Sequence, residues 1–147
     1  MSPIYPTIIP VEKICNSSWV NDPDYSNLVL HIKNICSNYP SLLMACSADF
    51  DSSVHSRFIA ERITEWGINV FTPDFPVPLA ALSYAITTKS MPIGLYIEEV
   101  KEENSVRIIP ISSHGGLFDN QDLNISSVAV SSKKGVIWLN RHCKYVY

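Results

Sequence analysis

Leu42-Leu43-Met44-Ala45-Cys46, followed by a polar stretch, an apolar-periodic segment and Ile68-Asn69-Val70-Phe71, is the part of the chain that decides its fold. The first run is short, continuous and apolar, the pattern of a strand covered on both faces. Asp49-Phe50-Asp51-Ser52-Ser53 reads as a polar turn. Val54, Phe58, Ile59, Ile63 and Trp66 then line one face of a helix that Gly67 is placed to cap, and Ile68 to Phe71 form a second strand. Strand, helix and strand in so short a span make a βαβ unit, expected to be parallel and right-handed.

Upstream, Asn21-Asp22-Pro23-Asp24 supplies a capping side chain, a proline suited to a first helical turn and acids for the positive end of the helix dipole. Leu28, Val29, Ile32, Ile35 and Cys36 recur at helical spacing until Asn38-Tyr39-Pro40. This predicts an amphipathic helix of about four turns. Downstream, Pro73 to Pro78 punctuate a loop into a further helix through Leu79, Ala80, Leu82, Ala85 and Ile86, closed by Lys89-Ser90. Ile93 to Ile97 and Val106 to Ile109 are two more strands, and the link from Glu98 to Asn104 is short enough to require antiparallel pairing. The expected fold is a three-layer α/β/α domain whose mixed, mostly parallel sheet has about four main strands. Residues 1–147 read as one such domain, with 120–147 a C-terminal extension carrying strand candidates at Val128-Ala129-Val130 and Val136 to Leu139.

Composition narrows the function classes. A chain of 147 residues, 46% hydrophobic and 17% charged, is globular rather than disordered. Eleven basic and 14 acidic side chains give a net charge of −3 with no basic stripe, so nucleic acid is not an expected partner. No apolar stretch reaches the roughly 18 residues of a membrane span, and the N-terminus lacks the basic start of a secretory signal, so a cytosolic protein without membrane contact is expected. Cys15, Cys36, Cys46 and Cys143 form no Cys-x-x-Cys pair, and His31, His55, His114 and His142 form no metal-ligand spacing. No metal site is expected, and the cysteines read as buried free thiols. Trp66 belongs to a buried helical face by periodicity, while Trp19 and Trp138 are open between core and contact surface.

The order of elements, and the residues between them from about Val11 to Asp119, resemble the first domain of the α-D-phosphohexomutases, the phosphoglucomutase and phosphomannomutase family. Asp49-Phe50-Asp51-Ser52-Ser53 stands in the place of the family's Asp-x-Arg-x-Ser-Ser turn. Pro76-Val77-Pro78-Leu79 looks like its Pro-Thr-Pro, Ile93-Gly94-Leu95-Tyr96-Ile97 like its Gly-Ile strand, Asn104-Ser105-Val106-Arg107 like its Asn-Gly-Ile-Lys, and Gly115-Gly116 like its glycine pair. The resemblance implies a domain of a sugar-phosphate mutase, but the chemistry departs from it. Where the family has Thr-Ala-Ser-His-Asn-Pro, whose serine carries the phosphoryl group, this chain has Glu98-Glu99-Val100-Lys101-Glu102-Glu103, without Ser, Thr or His. Asp51 replaces the turn's arginine, and Asn16-Ser17-Ser18-Trp19-Val20 lacks the arginine and glycines of the family's Gly-Thr-Ser-Gly-Leu-Arg-Gly.

No catalytic residue is therefore expected. Ser52, Ser53 and Arg107 are the candidates for residual ligand binding, Ser52 and Ser53 because a helix N-terminus beyond a parallel strand is where open α/β sheets bind anions. Asp49 and Asp51 oppose an anion there, and capping by Ser52 or Asp51 is the competing role. Ser112-Ser113-His114 is expected to be a solvated turn, its neighbours pointing to opposite faces. The expected function is a catalytically inactive, phosphohexomutase-like module for protein interaction, self-association or regulation. The alternatives are the leading domain of a longer divergent mutase, in which case Mg²⁺ would be implied, and an unrelated α/β domain with a small-molecule pocket at the strand ends near Ser52, Phe75 and Ile97.

Overall fold

The computed structural model describes residues 6–118 and the backbone of residues 143–145. In chain order the elements are β1 (Thr7–Pro10), α1 (Val11–Cys15), α2 (Ser26–Ile35), β2 (Ser41–Cys46), α3 (Phe50–Thr64), β3 (Asn69–Thr72), α4 (Leu79–Thr88), β4 (Ile93–Val100), β5 (Ser105–Ser112) and β6 (Cys143–Tyr145), with short 3-10 turns at Ser18–Asn21, Pro23–Tyr25 and Lys101–Glu103. They build one mixed sheet in the order β1-β5-β4-β2-β3-β6.

The expected βαβ unit is present. β2 is parallel to β3 on one side and to β4 on the other, with Leu43 opposite both Phe71 and Gly94. β5 is antiparallel to β4, and β1 is antiparallel to β5. All but the last residue of β2 are buried, as a continuous apolar run in a central strand requires. Alternation then divides the core in two. Leu42, Met44, Leu95, Ile97, Val106 and Ile108 face Ile14, Trp19, Ile32, Ile59 and Ile63 from α1, the first 3-10 turn, α2 and α3. Leu43, Ala45, Tyr96, Ile109 and Ile111 face Leu82, Ala85 and Ile86 of α4. α3 and α4 thus lie on opposite faces, giving three layers.

Several expectations are corrected. β1 was not legible as a strand, so the sheet has more than the expected four main strands. Its Thr7-Ile8-Ile9-Pro10 sits between prolines and holds only one fully buried side chain, Ile9, which is how an edge strand is composed. The second helix begins at Ser26, because Pro23–Tyr25 is a separate 3-10 turn capped by Asp22, whose carboxylate accepts the Asp24 N–H at 2.9 Å. α3 begins at Phe50, so the expected polar turn is its first helical turn. With that shift Val54 is exposed while Ser52 and His55 face inward. β4 continues to Val100, leaving only the Lys101–Glu103 turn and Asn104, with φ of 49°, to join it to β5.

His31 is buried, with its ring 5.4 Å from that of Phe118. Trp19 is completely buried and meets Trp66 edge to face at 6.2 Å. Cys36 is buried but Cys15 is exposed, against the expectation of buried thiols. Gly67 closes α3 at φ of 85°, and its N–H donates to the Thr64 carbonyl at 3.0 Å. Ser113 and His114 are exposed in a turn that Gly115 closes by donating to the Ser112 carbonyl. Cys143 to Tyr145 pair antiparallel with β3. The candidates Val128 to Val130 and Val136 to Leu139, with Trp138 and His142, lie outside the described residues. No helix among the described residues is long and apolar enough to cross a membrane.

Candidate functional site

β2 and β3 are neighbours whose chains leave the sheet in opposite directions. From Cys46 the chain turns into α3 on one face. From Thr72 it runs through Pro73–Pro78 into α4 on the other. Beyond these two strand ends lies a cavity of about 160 Å³ lined by Cys46, Ser53, Ser56, Thr72, Pro73, Asp74, Phe75 and Pro76; the reversal of strand order, where open α/β sheets hold ligands, is at the neighbouring β2–β4 pair.

The loop forming its outer wall is pinned from beneath. The Val77 N–H donates to the Cys46 carbonyl at 3.3 Å, and the Tyr96 hydroxyl donates to the Val77 carbonyl at 2.8 Å. Burial, with the negative charge of Glu98 adding to it, pushes the Tyr96 phenol up to about 12, so its proton stays available for that bond. Pro73, Pro76 and Pro78 restrict the backbone between these anchors. Phe75 is left 49% exposed at the rim. Inside, burial raises the Cys46 thiol while a bond to Ser56 works in the other direction. The net shift is upward, so at neutral pH the thiol is an uncharged wall.

The sequence-predicted residues do not converge. Ser53 lines the cavity. Ser52 is fully buried, its hydroxyl 3.0 Å from that of Ser47, which in turn donates to Asp49 at 3.2 Å. Neither Ser52 nor Asp51 caps α3. Asp49 occupies the cap position, and the cap has no side-chain hydrogen bond. Arg107 lies opposite Glu98 in the β4–β5 register and forms an ion pair with it. Glu99, next along β4, lies opposite Val106 and turns to the other face of the sheet.

Glu98 to Glu103 therefore ends β4 and turns the chain. The segment does not form a loop over the strand ends. Glu98 is engaged by Arg107, and Glu99 diverges from it. Among the described residues no group of three or more His, Cys, Asp or Glu side chains could hold a metal. The sequence had indicated Phe75 and the strand ends. The contributions of Ser56, Thr72 and Asp74 were missed, because they depend on where α3 begins and on how the proline loop folds back.

A second, larger hollow of about 400 Å³ lies at the opposite end of the parallel strands, lined by Lys33, Cys36, Ser37, Pro40, Trp66, Gly67 and Ile68. The Lys33 ammonium stands 4.8 Å from the Trp66 ring centroid. Packing of a surface cation on a half-buried ring accounts for this arrangement.

No protein-family model matches the chain, and comparison with curated proteins and with solved structures gave no match.

Proposed function

We propose that the chain is a phosphohexomutase-like α/β domain without phosphoryl-transfer chemistry that acts by associating with another protein surface. The observation that carries the first half is the end of β4. Phosphoryl transfer needs a nucleophile together with cations, backbone donors or a metal directed at the phosphate. The interval that resembles the family's serine loop is instead strand and tight turn, rich in carboxylates, with its neighbouring Arg107 neutralised by Glu98. A phosphate within about 4 Å of one such carboxylate is opposed by roughly 1 kcal/mol even in water.

The uneven covering of the sheet supports association. Among the described residues one face carries α1, α2 and α3, whereas α4 is the one helix on the other. Ile8, opposite Arg107 at the β1 edge of the α4 face, and Leu79, the first residue of α4, remain exposed. Exposed apolar side chains beside a short edge strand are features of a contact surface.

Two measurements test the two halves. The intact mass of the protein incubated with glucose 1,6-bisphosphate and Mg²⁺ should not change, and a gain of one phosphoryl group would overturn the non-catalytic half. Sedimentation over a wide concentration range, with co-purification of the tagged protein, should reveal a dimer or a stoichiometric partner that Ile8→Lys weakens. A strict monomer that retains no partner would overturn the associative half.

A further inference from the structure

We infer that the hollow between the C-terminal ends of α2 and α3 is a binding site for a small organic carboxylate, its charge met by the Lys33 ammonium and its apolar body set against Trp66, Pro40 and Ile68. This goes beyond association with another protein surface and does not depend on it.

The hollow has the size and walls for such a molecule. Its volume of about 400 Å³ falls within the roughly 300–1,000 Å³ of small-molecule pockets. Trp66, Pro40 and Ile68 give it apolar walls, and the Cys36 thiol, pushed by burial up to about 11, is uncharged at neutral pH. Gly67 belongs to the same lining, and its φ of 85° keeps that wall free of a side chain. A Cβ built there would meet no atom within 4 Å, so the space beside it is open.

The polar atoms decide the charge of the ligand. Most of those in the lining are already used: the Cys36 thiol donates to the Ser41 carbonyl at 3.8 Å, the Ser37 hydroxyl to the Asn34 carbonyl at 2.8 Å, and the Gly67 N–H to the Thr64 carbonyl at 3.0 Å. These bonds also occupy carbonyls at the two helix ends, whose partial negative charge would otherwise face an anion. Lys33 differs. Its ammonium stands 4.8 Å from the Trp66 ring centroid, and a ring face attracts the charge but supplies no lone pair for the three N–H donors. Among the described residues the ammonium has no carboxylate partner. α2 contains no acid, the residues three and four positions from Lys33 being Leu30, Val29, Cys36 and Ser37, and Glu65 beside Trp66 is paired with Arg62 at 2.9 Å. The lining thus holds one ionised group, a cation, next to an aromatic wall. A carboxylate answers its donors, whereas an ammonium is repelled and a neutral molecule leaves the charge unmatched.

Phenylacetate is the probe, titrated against the 15N-labelled full chain, with neutral phenylacetamide, cationic phenethylammonium and acetate as comparators. It is expected to give saturable shifts at the Ser37, Gly67 and Ile68 amides and at the Trp66 indole N–H. Each comparator should bind at least about tenfold more weakly, the first two for want of the negative charge and acetate for want of the apolar body. Lys33→Gln should weaken phenylacetate about tenfold. Lys33→Arg keeps both the charge and the contact with the ring and should stay within about twofold. Lys33 is exposed on α2, so both variants leave the core untouched. Phenylacetate that produces no saturable shift overturns the proposal, as does equal binding of any of the three comparators or unchanged affinity in Lys33→Gln. None of these outcomes bears on the mass and sedimentation tests.

Discussion

On one face of the sheet Trp19, Ile14, Ile32, Ile59 and Ile63 interlock over β2, β4 and β5; on the other, Leu82, Ala85 and Ile86 of a single helix do the same work over a smaller area. Both faces draw on the same strands, since Leu42 and Met44 point one way and Leu43 and Ala45 the other. The first face is closed by several elements that brace each other: α1 touches α3, and the Trp19 and Trp66 rings meet edge to face. The second depends on how closely one helix approaches the sheet. That approach is set by Gly94, where any Cβ would collide with Ile86 Cδ1. The braced face tolerates little loss of volume, and the single-helix face tolerates little gain.

The sharpest way to break this contrast is to empty the braced face. Trp19→Ala should cost about 3–5 kcal/mol in urea unfolding, because the ring is fully buried and its neighbours cannot collapse into the space. Trp19→Phe should cost much less, since the indole N–H has no partner among the described residues and its loss removes an unsatisfied donor. If the two variants are equally destabilised, the brace is not a packing effect.

Adding volume tests the opposite face. Gly94→Val places branched carbon where α4 lies and should cost about 1–3 kcal/mol by overpacking. Ile86→Ala in the same chain should recover part of that loss, whereas Leu42→Ala, on the far side of the sheet, should simply add to it.

A pH series probes the braced face alone. Burial holds the His31 imidazole below its ordinary 6.5. The unfolded chain then binds a proton that the folded chain resists, so stability is full above about pH 6.5 and falls as the pH drops through it, levelling off below the depressed folded value. The Tm of His31→Leu should lose that component between pH 7.5 and 5.5, while an alanine at Ile86 should leave the slope unchanged.

The smallest effect is expected at the strand ends. Glu98 and Arg107 are both partly exposed, so a double-mutant cycle with Glu98→Gln and Arg107→Gln should give a coupling of about 0.2–1 kcal/mol that fades in high salt. A much larger coupling would mean that this pair, rather than packing, holds the β4–β5 hairpin together.

The sequence by itself determined the central unit of this protein. An unbroken apolar run can only be covered on both faces, a helical stripe ending at Gly67 must return the chain to the sheet, and a short acidic link from the Tyr96 strand permits only an antiparallel partner. These are local constraints, written in residues close to one another. It also determined that the segment after that strand contains no Ser, Thr or His, which is a matter of composition. Only the tertiary structure decided that Thr7–Pro10 is a strand, since its pairing partner Ser105–Ile108 is far along the chain and four residues around two prolines carry no periodicity of their own. It alone decided that His31 is buried, for the ring that covers it belongs to Phe118. The cavity beyond β2 and β3 is the clearest case. Cys46, Ser53, Thr72 and Phe75 come from two strand ends, a helix start and a loop, and they meet because α3 and α4 leave the sheet on opposite faces, an arrangement that no single residue encodes.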